Sequence, residues 1–142
     1  MAVTITGRYV GNLKTELTHG PSGTVLTTAA PVDNNGDGSS FSPTDLAASS
    51  LGACMVTIIG IMAERNGIDM AGVEFRVVKH MSSKPRRIAR AEVEIQMPRG
   101  LTADQRTKLE RGAHTCPVHH SLHPETDKPV RFVYEDSNDL ED

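Results

Sequence analysis

The run from Leu46 to Ala63 carries no charged residue. A backbone with so few charged side chains must be buried, either in a protein core or in lipid. Ser49, Ser50, Gly52, Thr57 and Gly60 interrupt it, so it is only moderately apolar, and no second run of this kind follows. A core helix is the better reading, and no membrane partner is expected. Its start is well marked. Ser42 suits the N-cap, Pro43 the first helical position, and Asp45 completes a capping box while complementing the helix dipole. Its end falls at Asn66-Gly67, where glycine accepts a left-handed backbone. Ala48 and Gly52, one turn apart, leave a smooth groove that a second helix can approach.

The remaining elements are marked by local patterns along the chain. Residues 3–10 and 12–19 alternate polar and apolar and read as two strands joined near Gly11; Val25 and Leu26 mark a third short strand. The segment PVDNNGDGSS (31–40) reads as a loop. Val73, Phe75 and Val77, then Ile88, Val93 and Ile95, mark two long strands joined by the basic MSSKPRR segment with Pro85. Arg90, Glu92, Glu94 and Gln96 form the wet face of the second. Thr102 and Gln105 cap a second helix, which runs to about His114 with Ala103, Leu109 and Ala113 as its thin apolar stripe. Cys116-Pro117 opens a short helix over 117–122. Val130, Phe132 and Tyr134 form a last strand, and the acidic tail, about 136–142, is expected to fray.

These elements predict a single α+β domain covering 1–142, the size of chain that buries one ordinary core. A net charge of −3, no basic stripe and 4% aromatic residues argue against a nucleic-acid partner. The N-terminus alternates like a strand and lacks the layout of a signal peptide, so a cytoplasmic location is expected. The first helix is apolar all round and the second has little apolar surface. One sheet face cannot cover both, and a homodimer is the simplest solution.

The chain has two cysteines. In a reducing compartment they are free, catalytic or metal-bound rather than a resting structural disulfide. Cys54, about three turns into the first helix, gains little from the dipole, and burial opposes its thiolate. By itself it reads as a small apolar residue unless another segment supplies a cation. Cys116, as an N-cap, faces unpaired N–H groups, and local geometry makes it the better activated thiol. His114, His119, His120 and His123 surround it, with His119 and His123 four apart. A Cys/His zinc or copper site is a further reading, although the spacing matches no closed four-ligand framework and Pro124 follows His123.

The residues from Ser42 to Leu46 followed by Ala47-Ala-Ser-Ser-Leu-Gly-Ala-Cys54 resemble the first-cysteine helix of the OsmC/Ohr family. Ala113-His-Thr-Cys116-Pro-Val118 resembles its second-cysteine motif, and the order of elements matches over about 3–135. The resemblance implies antiparallel sheets wrapped around long central helices in an intertwined homodimer, with active sites at the interface. It implies a thiol peroxidase for organic hydroperoxides, with hydrogen peroxide as a further substrate, and with no metal and no cofactor. Cys54 would attack the peroxide and become a sulfenic acid; Cys116 would then form the disulfide, which an external dithiol reduces. The family arginine of the N-terminal strands has no evident counterpart. Lys14 falls near one version of that position, Thr27 or Thr28 near another, and Arg8 is the only arginine in those strands. Asp45 falls near the family's glutamate. Lys14 and Asp45 are therefore possible auxiliary residues. The alternative is a chain that keeps the fold as a ligand-binding or divergent redox protein.

Overall fold

The computed structural model describes residues 1–135; the acidic segment 136–142, expected to fray, lies outside them. By its internal contacts the chain divides into two compact units, Met1–Ala47 and the chain from Ala48 onward. The first is an antiparallel meander of β1 (Ile5–Gly11), β2 (Lys14–His19) and β3 (Val25–Ala29). Alternation sets its register, with Ile5 opposite His19 and Tyr9 opposite Thr15. The β1–β2 turn is made by Asn12 and Leu13, both at positive φ (55° and 61°), a pairing that matches strand twist. Gly11, where the sequence places the turn, instead ends β1 beyond a register shift. The third strand is longer than Val25-Leu26 because Lys14 to Thr18 of β2 continue to pair with Ala29 to Val25. The 31–40 loop contains one short 3-10 turn, Val32–Asn34.

The helix α1 spans Pro43–Arg65. Both arms of its capping box are present. Ser42 Oγ accepts from the Asp45 N–H at 3.1 Å, and the Asp45 carboxylate accepts from the Ser42 N–H at 2.9 Å. Gly67, at φ +67°, follows the last turn as expected. Among the described residues this is the one helix long and apolar enough to cross a membrane by length and composition, a test that core helices of soluble proteins also pass. It buries one stripe, Ala48, Leu51, Gly52, Met55, Ile59 and Ala63, at helical spacing. Ala53, Thr57 and Ile61 on its other side are exposed.

In the second unit, β4 (Phe75–Ser83) and β5 (Arg86–Gln96) form a long antiparallel hairpin. The last strand, β6 (Val130–Val133), runs parallel to β5, so this sheet is mixed rather than antiparallel throughout. Ala91, Val93 and Ile95 point inward while Arg90, Glu92 and Glu94 face water more openly. Val73 precedes the strand: its N–H donates to Met70 O in a turn closed by Gly72 at φ +84°.

The groove at Gly52 admits a strand, not a helix. A Cβ there would lie 2.6 Å from Val77 Cγ2 and 2.8 and 2.9 Å from the Phe75 ring. Gly52→Ala therefore forces the α1–β4 contact apart, and urea melts should show a loss of about 1–3 kcal/mol. An unchanged midpoint would show that β4 shifts freely. The helix-on-helix approach occurs instead at Gly112 of α2 (Ala103–Ala113), whose added Cβ would overlap Met62 Sδ. Gly112 joins Leu109 and Ala113 as the buried face of α2, while Ala103 is exposed. Thr102 and Gln105 cap that helix reciprocally, as the sequence predicts.

Candidate active site

The second unit brings the two cysteines together. Cys54 lies on α1, two residues beyond the Gly52 contact with β4, and is half-buried. Cys116 is fully buried at the N-cap of α3 (Pro117–Ser121). Its extended backbone (φ −56°, ψ 126°) lets Pro117 take the first helical position, and its Sγ accepts the His119 N–H at 3.4 Å. Both cysteines are free thiols, and their side chains lie close enough to influence each other.

Burial pushes the Cys116 thiol above its ordinary range, and the neighbouring Cys54 pushes it further. The His119 and Val118 amides act in the opposite direction and are the weaker influences. The helix-start advantage expected for Cys116 is therefore overruled by desolvation, the largest effect at this sulfur. Cys116 stays protonated beside Cys54. Iodoacetamide at pH 8 should alkylate Cys54 at least about tenfold faster than Cys116, because burial both hides the Cys116 sulfur and holds its proton. Equal labelling in peptide maps would contradict the buried, protonated state of Cys116.

The raised folded value also couples to stability. The unfolded thiol ionises near pH 8.5–9. Above that pH the unfolded chain gains a charge that the folded site resists. This contribution is intact below the unfolded value and is lost as pH rises through the folded one.

The histidines pack around α3 without a metal geometry. The His119 ring lies 5.5 Å from His120, stacked, and 6.2 Å from His114. Burial, then Lys128, His120 and His114, lowers the His119 pKa, so its imidazole is neutral at pH 7. It is the His119 backbone, not the ring, that meets Cys116. The helix stops at Ser121 with Leu122 extended, so the 119/123 spacing does not share a helical face. His123 Nδ1 accepts the Glu125 N–H at 3.0 Å. Among the described residues no three of His, Cys, Asp and Glu are placed to hold one metal ion.

The two auxiliary residues have their own partners in the first unit. Lys14 Nζ lies 3.0 Å from the Asp37 carboxylate, whose pKa is held at about 2 by the Ser39 hydrogen bond and then by Lys14. Asp45 caps α1. Arg8 pairs across the sheet with Glu16 at 2.6 Å. The sequence reading missed the Lys14–Asp37 pair, for which the loop offers several acidic candidates and no spacing rule. The N–H groups expected to face Cys116 from its N-cap position are there, with the His119 N–H donating to its sulfur.

Comparison with known proteins places the chain in a family. Residues 36–128 match the family described as OsmC-like protein. The solved structure of a Psychrobacter arcticus protein, assigned to osmotic stress induction and the detoxification response, is 40% identical. The match covers 94% of this chain and 96% of that one, with a TM-score of 0.86. An organic hydroperoxide resistance protein OsmC from Legionella pneumophila (18% identity, 93% and 96% coverage, TM-score 0.72) shares the fold. So does the organic hydroperoxide resistance protein OhrB of Bacillus subtilis (16%, 94% and 98%, TM-score 0.63). No curated protein matches at a significant level. With two thirds of its length in the family match and both thiols on the elements that the motifs predict, the chain belongs to the OsmC-like family.

Proposed function

We propose that this protein is a metal-free, cysteine-based peroxidase that reduces organic hydroperoxides, with hydrogen peroxide as a possible second substrate, in oxidative stress defence. The observation that carries the reading is the placement of the half-buried Cys54 thiol beside the fully buried Cys116 thiol in one core. A half-buried thiol beside a fully buried, protonated one is the arrangement a two-step redox cycle needs. The Cys54 thiolate attacks one peroxide oxygen, the O–O bond breaks, and the departing alkoxide takes a proton to leave as the alcohol. Cys54 is then a sulfenic acid. The Cys116 sulfur displaces hydroxide from it, which leaves as water with the Cys116 proton, and the disulfide forms. An external dithiol returns both thiols by exchange and is itself oxidised.

The partners in this reading are the peroxide, the dithiol and a second copy of the chain, in the cytoplasm where free thiols persist. The dimer is supported by apolar surface that each unit leaves uncovered. Ile5, Tyr9, Val25 and Leu26 are more than half exposed in the first unit, and Ile61 of α1 in the second is 43% exposed. Lys14 and Asp45 remain the proposed auxiliaries. Lys14 already pairs its ammonium with Asp37.

Stoichiometric cumene hydroperoxide should lower the intact mass by two hydrogens and link the Cys54 and Cys116 peptides. If both thiols still alkylate fully after that treatment, the mechanism is wrong. One observation favours a second reading, an OsmC-fold binding protein without peroxidase chemistry. Arg8, the only arginine of the first three strands, is largely exposed and already paired with Glu16. Full alkylation after peroxide would select that reading.

A further inference from the structure

The cycle proposed above has an access problem. Cys116 is fully buried, yet its disulfide must be reached by a dithiol from outside. Attack on Cys54 would have to expel Cys116 as a thiolate inside that buried site. A thiol with a raised pKa is a poor leaving group. Attack on Cys116 itself requires an opening.

The Cys116 sulfur is also a structural atom. It supplies the side-chain cap of α3, accepting the His119 N–H at 3.4 Å, while the Val118 amide also points to it. That helix has five residues and buries none of them. So short a helix has little stability of its own. Its other hydrogen bonds are local, among them His120 N–H to Cys116 O, Leu122 N–H to Val118 O and Ser121 Oγ to Pro117 O, and beyond these Val118 and Leu122 pack only partly buried against the core. Within it, His119 Nδ1 is sealed from water with no hydrogen-bond partner, a standing cost that exposure would relieve. Disulfide formation must bring the two sulfurs to about 2 Å. Any part of that approach made by the Cys116 sulfur draws it away from the amide that it caps at 3.4 Å.

We propose that forming the Cys54–Cys116 disulfide withdraws the N-cap of α3, so that oxidation itself loosens residues 117–122 and exposes the disulfide to its reductant. The inference rests on the peroxidase reading. No further reagent is needed: the peroxide supplies the oxidation, and the dithiol, attacking the uncovered sulfur, restores both thiols and with them the cap. Cys116 is thus the resolving thiol and the positioning residue of its own gate.

Amide hydrogen exchange on the full-length protein tests this, comparing the reduced form, the form oxidised with stoichiometric cumene hydroperoxide, and reduced Cys116→Ala and Cys116→Ser. Oxidation should speed exchange over 117–122 by about fivefold or more, the factor that a lost cap corresponds to. Reduced Cys116→Ala should show the same loosening with no oxidant. Reduced Cys116→Ser, which keeps a capping oxygen, should retain wild-type protection. Intact mass reports the disulfide separately. A two-hydrogen mass loss with unchanged protection at His119 and His120 overturns the gate and leaves the peroxidase standing. No mass loss overturns the peroxidase reading and the gate with it. Wild-type protection in Cys116→Ala overturns the capping role.

Discussion

Cys54→Ser should lower dithiol-driven reduction of cumene hydroperoxide on the order of 10³-fold or more, the scale on which removing a nucleophile acts. The substitution is nearly isosteric at a half-buried position, so the melting temperature should hardly move. What is lost is the thiolate: a serine hydroxyl at neutral pH is not ionised and does not attack peroxide oxygen. Cys116→Ser should behave differently. Cys54 still reacts once, and the sulfenic acid persists long enough to be trapped by dimedone as a mass adduct, because the sulfur that would consume it is gone. Cys116 is buried and held protonated by its surroundings, so it cannot replace Cys54 as the attacking group. Retained activity in Cys54→Ser, or a dimedone adduct on Cys116 in that variant, would reverse the order of the two thiols.

That order illustrates which parts of the site the sequence could carry. Local signals were legible wherever the physics is local. The Ser42/Asp45 and Thr102/Gln105 boxes, the Gly67 stop and the Cys116 cap all follow from contacts within four residues, and each is present. Burial at Cys116 is not local. It depends on how α3 sits in the core beside Cys54, and it reverses the advantage that the N-cap alone would give. The meeting of the two sulfurs could come only from family resemblance, since residues this far apart share no periodicity. The same limit applies to β6. Val130 and Phe132 alternate as any strand does, but nothing in them tells that they pair in parallel with β5. Ala48 and Gly52 suggest a groove for a helix, but small residues at helical spacing state only that something comes close. The strand residues Phe75 and Val77 fill it.

Leu51→Ala should cost about 2–5 kcal/mol, the range for a leucine truncated in a close-packed core. Leu51 is fully buried and sits three residues before Cys54, in the stripe Ala48, Leu51, Met55, Ile59 and Ala63 that holds α1 in the core. Typical domains have only about 5–15 kcal/mol in total. A loss in the middle of the range should lower the melting temperature by roughly 10 °C at this chain length. Calorimetry at a fixed protein concentration checks it; a shift under about 2 °C would show that the stripe collapses around the gap. Ile61→Ala is the informative companion. Ile61 lies on the opposite side of the same helix and is 43% exposed in the single chain. For an isolated chain its truncation should stay within about 0.5 kcal/mol. If a second copy covers that side, the truncation should cost more, and the deficit should shrink as protein concentration rises, because association and folding are linked by mass action. The two variants thus separate the part of α1 that the chain buries by itself from the part that only a partner can bury.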